Sequence, residues 1–175
     1  MIHDLLHNID QAGLWSEPVT YNRGDLITKE GQVNTHLYWV LEGSLRIYVE
    51  TETEEHTIRF GYKNDLLTAL DSFIHEGPTT LNIQVLRRCI LRKVSKSDFI
   101  IWIEADLTRE RSWRELLGAF ILQQMERERD LLIASPRERY ERVLKRSPQL
   151  FQEIPHKHIA AYLRMTPETL SRMKK

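Results

Sequence analysis

The sequence predicts an α+β protein: a small barrel or double-sheet roll of strands, then a long helix, then a helical carboxy-terminal segment. Short apolar–polar alternations punctuated by glycine fill residues 19–94. The 27 residues from Thr108 to Ala134 contain one glycine and no proline, and positive charge collects in the last forty residues. A composition of 41% hydrophobic and 29% charged residues excludes disordered and fibrous classes.

The strand region begins near Val19 and ends near Val94. In "HLYWVLEGSLRIYVE", two apolar runs lie on either side of Glu42-Gly43-Ser44, which predicts a hairpin with its turn at those residues. "TTLNIQV" repeats the alternation, and glycines 24, 31, 43, 61 and 77 fall where turns are expected. Several short strands at this spacing favour a roll or a small barrel.

Helical periodicity replaces this pattern after Val94. Ser95 is predicted to cap a short helix, and Ser135-Pro136 with Glu138 is a capping-box start that ends the long helix before it. Two apolar rows follow the long helix. The first predicts a seam for a partner helix, and the second is expected to pack on the strands; a wholly intramolecular core for both rows is the alternative. The seam consists of Trp113, Leu117, Phe120, Gln124, Arg127 and Leu131, and the second row consists of Leu116, Ile121, Met125 and Leu132.

The net charge of zero conceals two oppositely charged parts. Residues 136–175 carry ten Lys and Arg against four Glu, a net charge of +6, so the remainder carries −6. This segment is therefore expected to meet an anionic partner, although a solvated helix surface is the simpler alternative. It ends in "IPHKHIAAYLRMTPETLSRM", where one apolar helix face, a short break and a Thr166-Pro167 start give the layout of a helix-turn-helix.

These residues carry a resemblance to a known family. "IAAYLRMTPETLSR" resembles the helix-turn-helix of Crp/Fnr-type bacterial transcription regulators, and "RGDLITKEGQVNTHLYWVLEGSLRIY" is similar to the first half of that family's cyclic-nucleotide-binding fold. The resemblance implies a sensor domain at residues 1–105, a dimerisation helix at 106–134 and a DNA-binding domain at 135–175. It also implies a homodimer whose interface includes Trp113, Leu117, Phe120, Gln124 and Leu131.

The resemblance assigns roles in DNA binding residue by residue. Glu168, Ser171 and Arg172 match base-contacting positions. The carboxylate of Glu168 can accept from cytosine N4, the guanidinium of Arg172 can bond guanine O6 and N7, and the hydroxyl of Ser171 can bond either base. A surface ion pair between Arg172 and Glu168 is the alternative. The residues suited to phosphates are Thr166, Thr169, Lys174 and Lys175.

Two positions depart from the family's pattern in the DNA-binding segment. Arg164 stands at a turn position often held by glycine, so a positive φ there would cost about 1 kcal/mol. The sequence printed ends at Lys175, directly after the recognition helix, so we expect a helix-turn-helix without a complete wing.

The family's cyclic-nucleotide pocket requires a Gly-Glu pair for the ribose and an Arg before Ser or Thr for the cyclic phosphate. Thr68 and Ala69 stand at the first pair and Thr79 at the arginine, while Thr80 keeps a hydroxyl. Because a threonine cannot replace a charged bidentate clamp, cyclic AMP is not expected to bind in the usual mode. The resemblance leaves an unknown small-molecule effector as a partner.

Other classes of protein have less support. His36 and Glu42 match two ligands of a metal-binding cupin, but Tyr38 replaces the middle histidine, so no metal site is expected. Hydrolase, zincin and P-loop motifs are absent, and Cys89, the single cysteine, predicts a small buried residue. With no metal site and no catalytic motif, we expect no cofactor and no enzymatic activity. No anchor or signal peptide is visible, so we expect no membrane partner and a cytoplasmic location.

The predicted function is therefore sequence-specific DNA binding by a dimeric transcription regulator. Its partners would be double-stranded DNA, a second copy of the chain and, as a further candidate, RNA polymerase. The alternative function is a dimeric ligand-binding or protein-interaction module with a degenerate DNA-binding end.

Overall fold

The computed structural model describes residues 2–173. Its secondary structure begins with a helix, continues through six strands interrupted by one short helix, and ends in six helices. In chain order the elements are α1 (Ile2–Gln11), β1 (Val19–Tyr21), β2 (Leu26–Thr28), β3 (Leu37–Glu50), β4 (Glu55–Tyr62), β5 (Leu66–Leu67), α2 (Leu70–His75), β6 (Asn82–Val94), α3 (Lys96–Glu104), α4 (Leu107–Leu132), α5 (Pro136–Arg146), α6 (Leu150–Glu153), α7 (His156–Tyr162) and α8 (Pro167–Met173).

The strands form one antiparallel sheet around the two long strands β3 and β6. The order is β1-β6-β3-β4, with β2 paired to β6 and β5 paired to β3. Register shifts between β3 and β6 fall near Gly43 and bend the sheet. The expected strand-rich amino-terminal part is confirmed.

The hairpin predicted at Glu42-Gly43-Ser44 is wrong, because β3 runs through these residues without turning. Gly43 has φ +88°, and a Cβ there would lie 2.1 Å from the carbonyl oxygen of Arg88 on β6. Only glycine allows the two backbones to approach this closely. Gly61 also lies inside a strand, β4, rather than in a turn.

Three apolar clusters organise the chain. One lies between α1, α3, α4 and the sheet around Phe99, and a second fills the interior of the roll around Val40 and Leu45. The third joins the carboxy-terminal helices to Phe60 and Leu86 of the sheet. The carboxy-terminal helices are therefore packed on the roll in this conformation.

The predicted helix starts are confirmed. The side chains of Ser95 and Ser135 accept hydrogen bonds from the backbone N–H groups of Asp98 and Glu138, and Asp106 caps α4 in the same way. The long helix ends at Leu132, two residues before the predicted Ala134, because Ile133 is already extended. Pro136 then occupies the first turn of α5.

The second apolar row of α4 was predicted to pack on the strands, which is right for Leu116 alone. Ile121 is 62% exposed, Met125 52% and Leu132 84%, so these three side chains face away from the chain. The first half of the predicted seam faces inward, where Trp113 packs edge-on against Phe99 at 4.9 Å between ring centroids.

Candidate functional site

Helices α7 and α8 form the helix pair predicted from the sequence pattern. The turn between them closes with hydrogen bonds from the N–H groups of Arg164 and Met165 to the carbonyl oxygens of Ala161 and Ala160, at 3.0 Å each. This is a Schellman arrangement, which requires a left-handed residue after the helix. Arg164 takes that conformation at φ +51°, so the turn forms although the residue is not glycine.

The second helix of the pair starts as the sequence predicts. The Thr166 hydroxyl accepts a hydrogen bond from the N–H of Thr169 at 3.2 Å, and Pro167 occupies the first helical position. Leu170 is fully buried against Ala160 and Leu163 of the preceding segment. Burial of this one face fixes which side of α8 is left to solvent.

The predicted base-contacting residues share the solvent side of α8. Glu168, Ser171 and Arg172 are exposed and stand three and four residues apart, so the helix brings them together on one face. Glu168 and Arg172 form no ion pair with each other within the described chain. Hydrogen bonds from its own N–H and from the Thr166 hydroxyl hold the pKa of Glu168 below its usual value, so it is a carboxylate at neutral pH.

The predicted phosphate-contacting residues are only partly described. Thr166 is exposed and Thr169 half-buried at the start of α8. Lys174 and Lys175 lie outside the described residues.

Arg139 holds the helix pair to the end of the long helix, a role that sequence reasoning missed. Its buried guanidinium donates to the carbonyl oxygens of Leu163 at 3.0 Å, Arg164 at 3.2 Å and Ala134 at 3.1 Å, and also to that of Ile133. These are carbonyl groups left unpaired where α7 and α4 end. In "PRERYERVLKR" nothing distinguishes this arginine from its solvated neighbours, so no sequence signal was available.

A second ionic group links α4 to α5. The carboxylate of Asp130 is fully buried and accepts from Arg142 Nε at 3.1 Å and Arg146 Nη2 at 2.5 Å. Arg142 also pairs with Glu126 at 3.0 Å. Part of the basic charge noted in the carboxy-terminal segment is therefore used inside the chain rather than displayed to a partner.

The helix pair also contacts the sheet directly. The rings of Phe60 on β4 and Tyr162 on α7 lie 5.2 Å apart. The hydroxyl of Ser44 donates to the carbonyl oxygen of Glu153 at 3.3 Å, and Arg87 lies 3.9 Å from the Glu153 carboxylate. The ring contact therefore joins the sheet to α7, and the polar contacts join it to α6, the short helix before the pair.

The predicted ligand positions in the roll are occupied by the chain itself. The carboxylate of Asp71 accepts from the Thr79 hydroxyl at 2.6 Å, and from the N–H and hydroxyl of Thr80 at 2.7 and 3.0 Å. Ala69 is fully buried in the roll interior, and Thr68 Oγ1 is buried without a hydrogen-bond partner. Burial raises the pKa of Asp71, but the hydrogen bonds from Thr79, Thr80 and Ser72 outweigh it and leave the pKa lowered.

The predicted dimer seam is divided between the interior and the surface. Trp113 and Phe120 pack against the chain's own first cluster, and the guanidinium of Arg59 lies 4.4 Å from the centre of the Phe120 ring. Leu117 and Leu131 are half-buried, and Gln124 is exposed. Beyond Leu107 at its start, the strongly exposed apolar residues of α4 are instead Ile121, Leu122, Met125 and Leu132.

Metal and thiol chemistry find no support among residues 2–173. No group of three or more His, Cys, Asp or Glu in this range could hold a metal ion. Cys89 is fully buried, as predicted, and burial raises the pKa of its thiol to about 12, so it is not a reactive thiolate. None of the described helices is both long and apolar enough to cross a bilayer.

The sequence of residues 18–106 matches the profile of the cyclic nucleotide-binding domain, and this match spans just over half of the chain. The chain therefore belongs to the cyclic nucleotide-binding domain family. No curated protein matches the sequence.

Solved structures of similar fold cover nearly the whole chain. FixK2 from Bradyrhizobium japonicum has a TM-score of 0.77 at 18% identity, covering 91% of this chain and 82% of its own. A CooA mutant from Carboxydothermus hydrogenoformans has a TM-score of 0.73 at 15% identity, covering 97% and 82%. The catabolite activator protein of Thermus thermophilus has a TM-score of 0.58 at 23% identity, covering 96% of this chain and 81% of its own. The likeness shows the fold: an antiparallel roll of the cyclic-nucleotide-binding type with several helices, as in Crp/Fnr-type regulators.

Proposed function

We propose that this chain is a Crp/Fnr-type transcription regulator, not an enzyme, that binds double-stranded DNA as a dimer through α8. The observation that carries the proposal is the exposed face of α8. A helix whose other face is buried by Leu170 presents Glu168, Ser171 and Arg172 together on its solvent side. Such a face fits the major groove, with its first residues towards the base edges.

The chemistry of this face suits sequence discrimination. An arginine can bond O6 and N7 of guanine in a bidentate pair, and a carboxylate can accept from N4 of cytosine, each pair contributing about 1–3 kcal/mol of discrimination. Because Glu168 is ionised, it would repel phosphates and favour a cytosine edge. The hydroxyls of Thr166 and Thr169 would contact phosphates, with Lys174 and Lys175 beyond them.

The dimer would form along α4. Gln124 and the half-buried Leu117 and Leu131 remain available to a partner helix, whereas Trp113 and Phe120 contribute mainly by fixing α4 on the roll. We add to the interface the exposed apolar row of Ile121, Met125 and Leu132, whose spacing is that of a helix–helix seam. A twofold dimer would place two α8 helices about 34 Å apart, on successive major-groove faces of a pseudo-palindromic site.

The sensor roll is proposed not to bind cyclic AMP in the usual mode. Thr79 stands where the family's arginine would hold the cyclic phosphate, and the donors of Thr79 and Thr80 already bond the Asp71 carboxylate. An incoming phosphate would meet a negative charge instead of a guanidinium. Calorimetric titration with cyclic AMP tests this point, and heat with a micromolar midpoint would contradict it.

Selection of bound sequences from a random DNA pool tests the proposed function. We expect a pseudo-palindromic motif, and we expect Arg172→Glu to abolish binding to that motif in gel shifts. Lys63→Glu is the matched control, because it makes the same charge change at an exposed turn residue between β4 and β5. If Arg172→Glu and Lys63→Glu bind the selected duplex as well as the wild type, the assignment of α8 is wrong.

The salt dependence of binding separates the alternative function. A specific regulator should prefer the selected duplex over a random one by at least about 10³-fold at the same salt concentration. A steep salt dependence with no sequence preference would mean that the basic segment binds DNA only through attraction to the phosphates. That outcome would favour a ligand-binding or protein-interaction module, and RNA polymerase would then have no place among its partners.

A further inference from the structure

A cavity of about 170 Å³ lies where strand, long helix and helix pair meet. Strand β4 contributes His56 and Thr57, helix α4 contributes Gln124 and Arg127, and the helix pair contributes Ala161 and Arg164. A single water molecule occupies about 30 Å³ of liquid, so this volume can admit a small organic molecule. The cavity lies outside the roll interior, at a different place from Asp71 and its threonine partners.

Arg127 is the unusual group in this cavity. Its side chain belongs to a residue only 8% exposed, and its Nη1 is buried without a hydrogen-bond partner in the described chain. Its guanidinium carbon lies 3.6 Å from the centre of the Tyr162 ring. The face of the Tyr162 ring attracts the cation weakly, but it cannot accept a hydrogen bond from an N–H group that points within the guanidinium plane. The Nη1 donor therefore stays unpaired.

No carboxylate forms a direct ion pair with Arg127 among the described residues. Asp130, the carboxylate that acts on Arg127, already bonds Arg142 and Arg146. Arg164 is exposed at the cavity and, within residues 2–173, forms no ion pair. Burial lowers the pKa of Arg127, and the opposing effect of Tyr162 and Asp130 is too small to offset it.

We propose that this cavity binds a small molecule that carries an oxyanion, a phosphate or a carboxylate group. The flat fork of a guanidinium bonds either group through two parallel N–H donors, and the arginine at 164 would add a second positive charge. The amide of Gln124 at the cavity edge supplies a further donor. A buried arginine left without an anion is costly, and the ligand would supply one.

Occupation of the cavity would reach the helix pair directly. The ligand would touch β4, α4 and the turn of the helix pair at once, and it would bond the guanidinium that now stacks on Tyr162. Tyr162 in turn contacts Phe60 of the sheet. An effector role for the ligand rests on the proposed DNA binding, but binding to the cavity does not.

The test measures anion binding to the full chain without DNA. Inorganic phosphate and succinate are titrated by calorimetry, and thermal unfolding is followed in parallel, against sodium chloride at matched ionic strength. We expect one of the two anions to bind and to raise the unfolding temperature, and the arm that responds identifies phosphate or carboxylate. Arg127→Met should weaken that binding by about tenfold or more, because a charge-assisted hydrogen-bond pair is lost.

A second variant keeps the test decisive if Arg127→Met does not fold. Gln124 is exposed, so Gln124→Glu should leave the fold intact while placing a carboxylate beside Arg127, and it should also abolish anion binding. Glu128→Gln, an exposed neighbour on the same helix, is the control and should bind as the wild type does. The proposal is overturned if neither anion binds more than chloride does, or if folded Gln124→Glu binds with unchanged affinity. Binding of a DNA duplex but of neither small anion would also overturn it.

Discussion

Replacement of Asp71 by alanine should destabilise the protein, because one carboxylate orders the loop before β6. The change removes the acceptor of the Thr79 hydroxyl, which belongs to a residue only 2% exposed, and leaves that buried donor unpaired at a cost of about 1–3 kcal/mol. The bonds to Thr80 are exposed to water and add about 1 kcal/mol together. We expect a total loss of about 2–4 kcal/mol in the free energy of unfolding.

Urea unfolding at pH 7 measures this loss. With an m-value of about 2 kcal/mol per molar, the midpoint should fall by about 1–2 M. Asp71→Asn keeps one acceptor oxygen, so its loss should be smaller. Since the folded-state pKa of Asp71 is lowered, its contribution is complete above the unfolded-state pKa near 3.9 and disappears as the pH falls through the folded-state pKa. The difference between the wild type and Asp71→Asn should therefore shrink in acid.

Glu52→Ala is the control for this experiment. Glu52 is exposed in the turn between β3 and β4, and removal of its charge should change stability by less than about 0.5 kcal/mol. An Asp71→Ala midpoint equal to that of Glu52→Ala would mean that the threonine loop does not depend on the carboxylate. The physical reason for excluding cyclic AMP from this loop would then be lost as well.

Three further changes test other parts of the structure. Gly43→Ala should destabilise the protein by more than about 3 kcal/mol in thermal unfolding, because the new Cβ would meet the Arg88 carbonyl oxygen at 2.1 Å. Gly118→Ala is the control: it has open space around it in α4 and should stabilise the protein by about 0.5–1 kcal/mol. Equal effects of the two substitutions would refute the close approach at Gly43. Arg139→Met should speed amide exchange in α7 and α8 at least tenfold, since four carbonyl groups lose a donor, and unchanged exchange would contradict its anchoring role. Burial lowers the pKa of His158 to about 4, so the wild type should lose stability as the pH falls from about 6.5 towards 4, and His158→Gln should lose less; parallel pH profiles would refute this.

Local signals in the sequence were enough to predict the helix starts and the helix pair. Ser95, Ser135 and Thr166 cap helices because a hydroxyl next to a free N–H acts over three residues and needs no distant partner. At Arg164 the resemblance indicated only a position often held by glycine, and the structure shows the left-handed backbone there. The roll followed from alternation of polar and apolar residues, with its interior residues such as Val85 buried as expected.

Long-range contacts could not be predicted in the same way. Gly43 reads as a turn in one strand, and only the position of Arg88 across the sheet shows why a glycine is needed inside β3. Both rows of α4 contain large apolar residues, so periodicity cannot say which one faces the roll. Asp71 and Thr79 are eight residues apart in the chain, and their hydrogen bond depends on how α2 and β6 are placed.

The packing of Phe60 and Leu86 beneath the carboxy-terminal helices bears on how such a protein could be recombined. These two sheet residues complete the apolar cluster of Val143, Ile159 and Leu170, so residues 135–173 do not close a core by themselves. A chimera joined at Ser135 would pair these helices with a foreign sheet surface. Exchange of this segment between relatives would therefore succeed only if the sheet residues that it packs against on β4 and β6 were exchanged with it. The part of the chain that must be transferred as one piece is larger than the helix pair.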